Sequence, residues 1–251
     1  HEPWLLFWRA LATRFRELDA NIQRLVKADA SFEHKGDHRG RLLALSFLIE
    51  AIAFRGRDVV PLWRTMDEAQ KLLASLGLDA FPEERALLLV QLGHAFATRL
   101  GQADKGFRLC QQAGWLANQL QRDDLSCLVT LYKGLVLVWC GDFAQAEELY
   151  QALDQSPFIS CQTELQVMLR MAWAGMATIK GDSEAAADHV QQAQETATGC
   201  GLTYLAPVAL FYDVFLYLAR KEYLQAAQAC RRLLGYAKER DNMFLSFRSL
   251  L

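Results

Sequence analysis

Cys140-Gly-Asp-Phe-Ala-Gln-Ala-Glu147 decides the fold, because the chain repeats it at a fixed spacing. Forty residues later stands Lys180-Gly-Asp-Ser-Glu-Ala-Ala-Ala187, forty earlier Leu100-Gly-Gln-Ala-Asp-Lys-Gly-Phe107, and forty beyond the second copy Arg220-Lys-Glu-Tyr-Leu-Gln-Ala-Ala227. Aligned, the four give Gly101, Gly141, Gly181 and Lys221 at one position and Gln102, Asp142, Asp182 and Glu222 at the next. Four residues on come Gly106, Ala146, Ala186 and Ala226. A period of this length is the mark of an array, in which each unit buries its apolar face against its neighbours.

Each unit reads as two helices. Before the quoted stretch, Leu125, Leu128, Val129, Tyr132, Leu135, Val136 and Trp139 recur at three- and four-residue steps, the spacing of a helix with a wide apolar face. Gly141 then ends that helix, since glycine takes the left-handed conformation of a C-terminal cap without penalty. Asp142 can accept from the free N–H groups that open the next helix, whose buried stripe is Phe143, Ala146, Leu149, Tyr150 and Leu153.

The same pattern, extended outward, predicts six pairs. These are Trp4–Phe15 with Glu17–Glu33, Arg39–Phe54 with Asp58–Leu76, Pro82–Leu100 with Lys105–Gln121, Leu125–Trp139 with Phe143–Asp154, Glu164–Ile179 with Ser183–Thr198, and Tyr204–Ala219 with Tyr223–Glu239. Turn residues fill the connectors, as in His34-Lys-Gly-Asp-His-Arg-Gly40, Leu76 to Pro82, Gln155-Ser-Pro157 and Gly199-Cys-Gly201. The expected fold is all-α: a single right-handed α-solenoid domain of about six antiparallel helix pairs over residues 1–251, with a 40-residue period. Small residues should let paired helices cross closely, Gly134 with Ala146 and Ala174 with Ala186. The third and sixth pairs carry His94 and Val214 at the first of these positions, so wider crossings are expected there.

Composition narrows the function. The 251 residues carry a net charge of −2, which lacks the basic footprint of a nucleic-acid binder. Residues 141–200 hold nine acidic side chains against Arg170 and Lys180, which would repel a phosphate backbone. The six cysteines never fall close enough for a CxxC pair, and they read as reduced, buried thiols of a cytoplasmic protein. Pro3 to Ala12 is apolar but too short to span a bilayer, and no membrane association is expected. The opening His-Glu-Pro-Trp and the helix-like close at Phe244–Leu251 suggest a piece of a longer multidomain protein.

The residues then suggest a family. The opening Pro3-Trp-Leu-Leu-Phe-Trp8 and the line Cys140-Gly-Asp-Phe-Ala-Gln-Ala-Glu-Glu-Leu149 resemble the helical-repeat, tetratricopeptide-like sensor region of MalT-type bacterial regulators, which are signal-transduction ATPases controlling transcription. The resemblance implies a non-catalytic region that receives a small-molecule inducer or a protein or peptide partner, with no cofactor of its own and no direct contact with nucleic acid. A second copy of the chain is a further candidate partner. The chain itself holds no G-x-x-x-x-G-K-[ST] loop and no helix-turn-helix signal. The alternative is a general tetratricopeptide-like adaptor unconnected with transcription.

Other motifs have plain readings. His34 and His38 flank Gly36, which breaks the helix that would align them on a metal, so the segment reads as an inter-helix turn. His94 and His189 fall near packed surfaces and read as hydrogen-bonded, half-buried histidines. Glu83-Glu84 and Asp123-Asp124 sit where acids favour a helix start. Aromatics concentrate on the first helices of the pairs, the helices that line the concave side in tetratricopeptide arrays. By that register Gln91, Leu131, Met171 and Phe211, then Trp139 and Ile179, face inward. Aromatics at helical spacing ordinarily pack, which makes this wall inter-repeat core. The competing account is a binding groove, with Gln91, Tyr132, Lys133, Trp139, Arg170, Trp173, Phe211 and Tyr212 as its candidate residues.

Overall fold

The computed structural model describes residues 2–14, 17–55, 59–202 and 205–239. Among them lie twelve α-helices and no strand. In chain order they are α1 (Pro3–Ala12), α2 (Leu18–His34), α3 (His38–Arg55), α4 (Val59–Ser75), α5 (Pro82–Leu100), α6 (Ala103–Leu120), α7 (Asp123–Cys140), α8 (Phe143–Asp154), α9 (Thr163–Lys180), α10 (Ser183–Gly199), α11 (Leu205–Ala219) and α12 (Tyr223–Glu239). The periodicity locates every one to within a few residues. Phe15, Asp58 and Tyr204, which were expected to extend three of them, lie outside the described residues. A 3₁₀ turn over Ile159–Cys161 follows α8, where only turn residues were expected.

The caps explain the boundaries. Gly101, Gly141, Gly181 and Lys221 all lie in the left-handed region, with φ of 65°, 81°, 78° and 59°. The residue after each of the last three donates its N–H five residues back: Asp142 to Leu137 O at 3.0 Å, Asp182 to Ala177 O at 2.9 Å and Glu222 to Tyr217 O at 2.8 Å. This is the Schellman arrangement, which satisfies carbonyls left open at a helix end. Asp142 and Asp182 then cap the next helix, accepting through Oδ1 from the N–H groups of Gln145 and Ala185 at 3.1 and 3.0 Å.

The chain forms two compact units, His1–Ala146 and Glu147–Leu251. In the first, each helix from α1 to α7 packs on the next, and α3 and α7 also pack on α5. Leu42, Leu45 and Ile49 of α3, Leu62, Met66 and Leu72 of α4, and Leu88, Leu92 and Phe96 of α5 make one apolar core. Arg85 fastens the α4–α5 connection, its Nη2 donating to the carbonyls of Leu73, Leu76 and Gly77 at 3.4, 3.4 and 2.9 Å. In the second unit α9, α10, α11 and α12 pack in sequence, and α9 also meets α11. Ala177, Ala186 and Leu216 form one small core, and Leu210, Phe211, Val214, Ala229 and Leu233 form another.

The crossing of α5 and α6 corrects the expectation at His94. The close approach is made one residue earlier, by Gly93. A Cβ on Gly93 would stand 2.8 Å from Gly106 O, and one on Gly106 would stand 2.5 Å from Gly93 O. The two backbones touch, so this crossing is tight rather than wide. His94 is turned aside, its ring edge-on to Tyr132 with centroids 4.9 Å apart.

Candidate functional site

The eight candidate residues divide between the units. Gln91 on α5 and Tyr132, Lys133 and Trp139 on α7 belong to the first; Arg170 and Trp173 on α9 and Phe211 and Tyr212 on α11 belong to the second. The proposed inward register also divides by burial. Gln91, Leu131, Met171 and Phe211 are all buried, whereas Trp139 and Ile179 are about half exposed.

In the first unit the polar candidates turn inward on a residue the sequence reading passed over. Tyr132 Oη donates to Glu50 Oε1 at 2.9 Å, and Gln91 Nε2 reaches the same oxygen at 3.4 Å. Arg14 Nε lies 3.9 Å from Glu50 Oε2. Burial, and then the Glu50 charge, push the Tyr132 phenol well above its ordinary range, so it stays a hydrogen-bond donor. Glu50 interrupts the apolar run Leu48-Ile-Glu-Ala-Ile52, and a carboxylate inside such a run was the available signal. Lys133 is half-buried and lies over the ring of Phe107, 5.7 Å from its centroid. Burial lowers the His94 imidazole from the usual 6.5 to about 4, with Arg99 adding to the effect.

The second unit gathers its candidates around Asp154, at the end of α8. Arg170 Nη2 donates to Asp154 Oδ1 and Trp173 Nε1 to Asp154 Oδ2, both at 2.6 Å. A charge-assisted bond and an indole N–H thus hold one carboxylate by both oxygens. Trp173 stacks on His189, centroids 6.0 Å apart, and meets Tyr150 edge-on at 5.6 Å. The expected hydrogen bond to His189 is not seen at Nδ1, which is buried without a partner among the described residues, as is Tyr150 Oη. Burial pushes the Tyr150 phenol up and holds the His189 imidazole down, Arg170 adding to the latter. Tyr212 packs against Gly175, where an added Cβ would stand 3.2 Å from its ring.

Beside this cluster opens a cleft of about 300 Å³. It is lined by Asp154, Gln166 and Arg170, by Ile159 and Ser160 of the 3₁₀ turn, and by Gln192, Glu195 and Thr196 of α10. Gln166 Nε2 donates to Ser160 O at 2.7 Å, which ties α9 to the 3₁₀ turn. The spacing of residues 192, 195 and 196 puts them on one helix face and could have been read in advance. Asp154 could not, because its partners lie 16 and 19 residues away on another helix.

Among the described residues no group of three or more His, Cys, Asp or Glu could hold a metal ion, and His34 and His38 are exposed on either side of their turn. Among those residues, no helix is long and apolar enough to cross a membrane. All six cysteines are reduced thiols; Cys110 and Cys127 are buried as expected, but Cys140, Cys161 and Cys200 are exposed. Burial pushes the Cys110 thiol up to about 12. No family model matches the chain, and no curated protein matches it.

Proposed function

We propose that this chain is a repeat-built sensor region: a right-handed α-solenoid of six antiparallel helix pairs with a 40-residue period, serving a bacterial transcriptional regulator of the MalT-like kind in the cytoplasm. It acts by binding an inducer or a regulatory protein and not by bond-making chemistry. The observation that carries this reading is the cleft of the second unit, where a guanidinium, carboxylates, amides and a hydroxyl meet around about 300 Å³. These are recognition groups, and a few convergent polar groups in a concavity are what a ligand site needs. The left-handed caps at Gly101, Gly141, Gly181 and Lys221 support the array. The acidic balance of residues 141–200 supports a region that leaves DNA contact to other modules.

The coding sequence on both sides of the chain tests the regulator. A phosphate-binding loop upstream, with a DNA-binding or activation module at either end, is the expected result. Further repeats alone would overturn it and leave the protein-interaction adaptor.

A further inference from the structure

We infer that the cleft of the second unit takes a small basic α-amino acid, a molecule with one carboxylate and two cationic groups. The inference rests on reading that unit as ligand-sensing and adds the chemical class of the ligand. It starts from charge. The cleft is lined by two carboxylates, Asp154 and Glu195, and one guanidinium, Arg170. A ligand with the inverse set, one anion and two cations, matches it group for group. Neutral polar ligands would leave the site's excess negative charge uncompensated, and acidic ones would add to it.

Geometry assigns the partners. Arg170 gives Nη2 to Asp154. A guanidinium carries five N–H donors in a planar fork, so it can hold Asp154 and a ligand carboxylate together. Asp154 is fixed from two sides by Arg170 and Trp173, at 2.6 Å each, and does not have to be ordered when a ligand ammonium arrives. Glu195 lines the same cleft from α10, held by Gln191 Nε2 at 2.8 Å. It is the second carboxylate, left for the second cation. Gln166, Gln192 and Thr196 supply neutral donors and acceptors along the wall. Besides the lining groups, residues 147–200 of this unit carry six acidic side chains against Lys180, a balance that favours the approach of a cation from solution.

Titration calorimetry on the chain, with L-lysine, L-arginine, L-norleucine and L-glutamate as probes, tests this. Norleucine has the shape of lysine without the second cation. Saturable binding of lysine or arginine, about tenfold or more tighter than norleucine and with none for glutamate, is expected from one lost charge-assisted bond. Glu195 is exposed, so Glu195→Gln should fold normally, checked by circular dichroism, and should reduce lysine to the norleucine level. Equal binding of lysine and norleucine, tighter glutamate, an unchanged Glu195→Gln, or no saturable heat from any probe would each overturn the inference. A regulator module found beside the chain with no amino-acid binding would sink the inference alone. Lysine binding by a chain flanked only by repeats would sink the regulator alone.

Discussion

Lys221 holds the backbone conformation that glycine holds at Gly101, Gly141 and Gly181, with φ of 59°. A side chain in the left-handed region costs about 1–2 kcal/mol, and the Lys221 side chain is exposed, so little packing offsets it. Lys221→Gly should therefore raise stability by about 0.5–1 kcal/mol after the added freedom of the unfolded chain is counted. The denaturant midpoint reads this directly. A fall in the midpoint would mean that the lysine makes a contact worth more than the strain. His94 predicts a pH dependence. Its imidazole titrates near 4 in the folded chain and near 6.5 when unfolded. Between those values only the unfolded state takes up the proton, so stability falls as pH drops from about 6.5 to about 4 and is flat above. From pH 7.5 to pH 4.5 the wild type should lose about 2–3 kcal/mol more than His94→Gln. Equal losses would show that the ring is freely solvated.

At the scale of elements, the crossing of α5 and α6 separates two glycines on one helix. Gly106 faces Gly93 O at 2.5 Å from an added Cβ, whereas the nearest atom to one on Gly114 is Val129 Cγ1 at 3.7 Å. Gly106→Ala should push the helices apart and destabilise by about 1–3 kcal/mol. Gly114→Ala should stabilise by about 0.5–1 kcal/mol, because a helix interior prefers alanine where space allows. Thermal melts of both variants check the pair, and destabilisation by both would refute the crossing geometry. This crossing also marks the limit of what the sequence made legible. Glycine caps, capping aspartates and apolar stripes are local signals, and they located the helices. Which residue of α5 meets Gly106 depends on the rotation of one helix against another. The 40-residue alignment placed it one position off, at His94. The same holds for the sites. Arg170 and Trp173 were legible as polar and aromatic members of a first helix, but the Asp154 that joins them was not. Tyr132 and Gln91 are buried, as the packed-core account of the wall has them and the groove account does not, but their shared partner Glu50 inside the first unit was not legible.

For the whole molecule, the energetics follow from contacts that stay near in sequence. Within each unit a helix packs on the next one or two, so stability should be a sum of local terms and neighbour interfaces rather than one cooperative core. Those terms are unequal. Twelve residues of α5 are buried, and it packs against α3, α4, α6 and α7. By contrast α12 leaves Tyr223 and Leu224 about two-thirds exposed, with Ala226, Ala229 and Leu233 buried. Local opening should require far less free energy in α12 than in α5. Amide hydrogen exchange under native conditions is expected to show α5 slowest and α12 much faster. Leu233→Ala should accelerate α12 further while leaving α5 unchanged, since Leu233 belongs to the α11–α12 core with Leu210, Phe211, Val214 and Ala229. Uniform protection along the chain, or an α5 that speeds up with α12, would mean that the two units unfold as one, and the additive account of an array would fail.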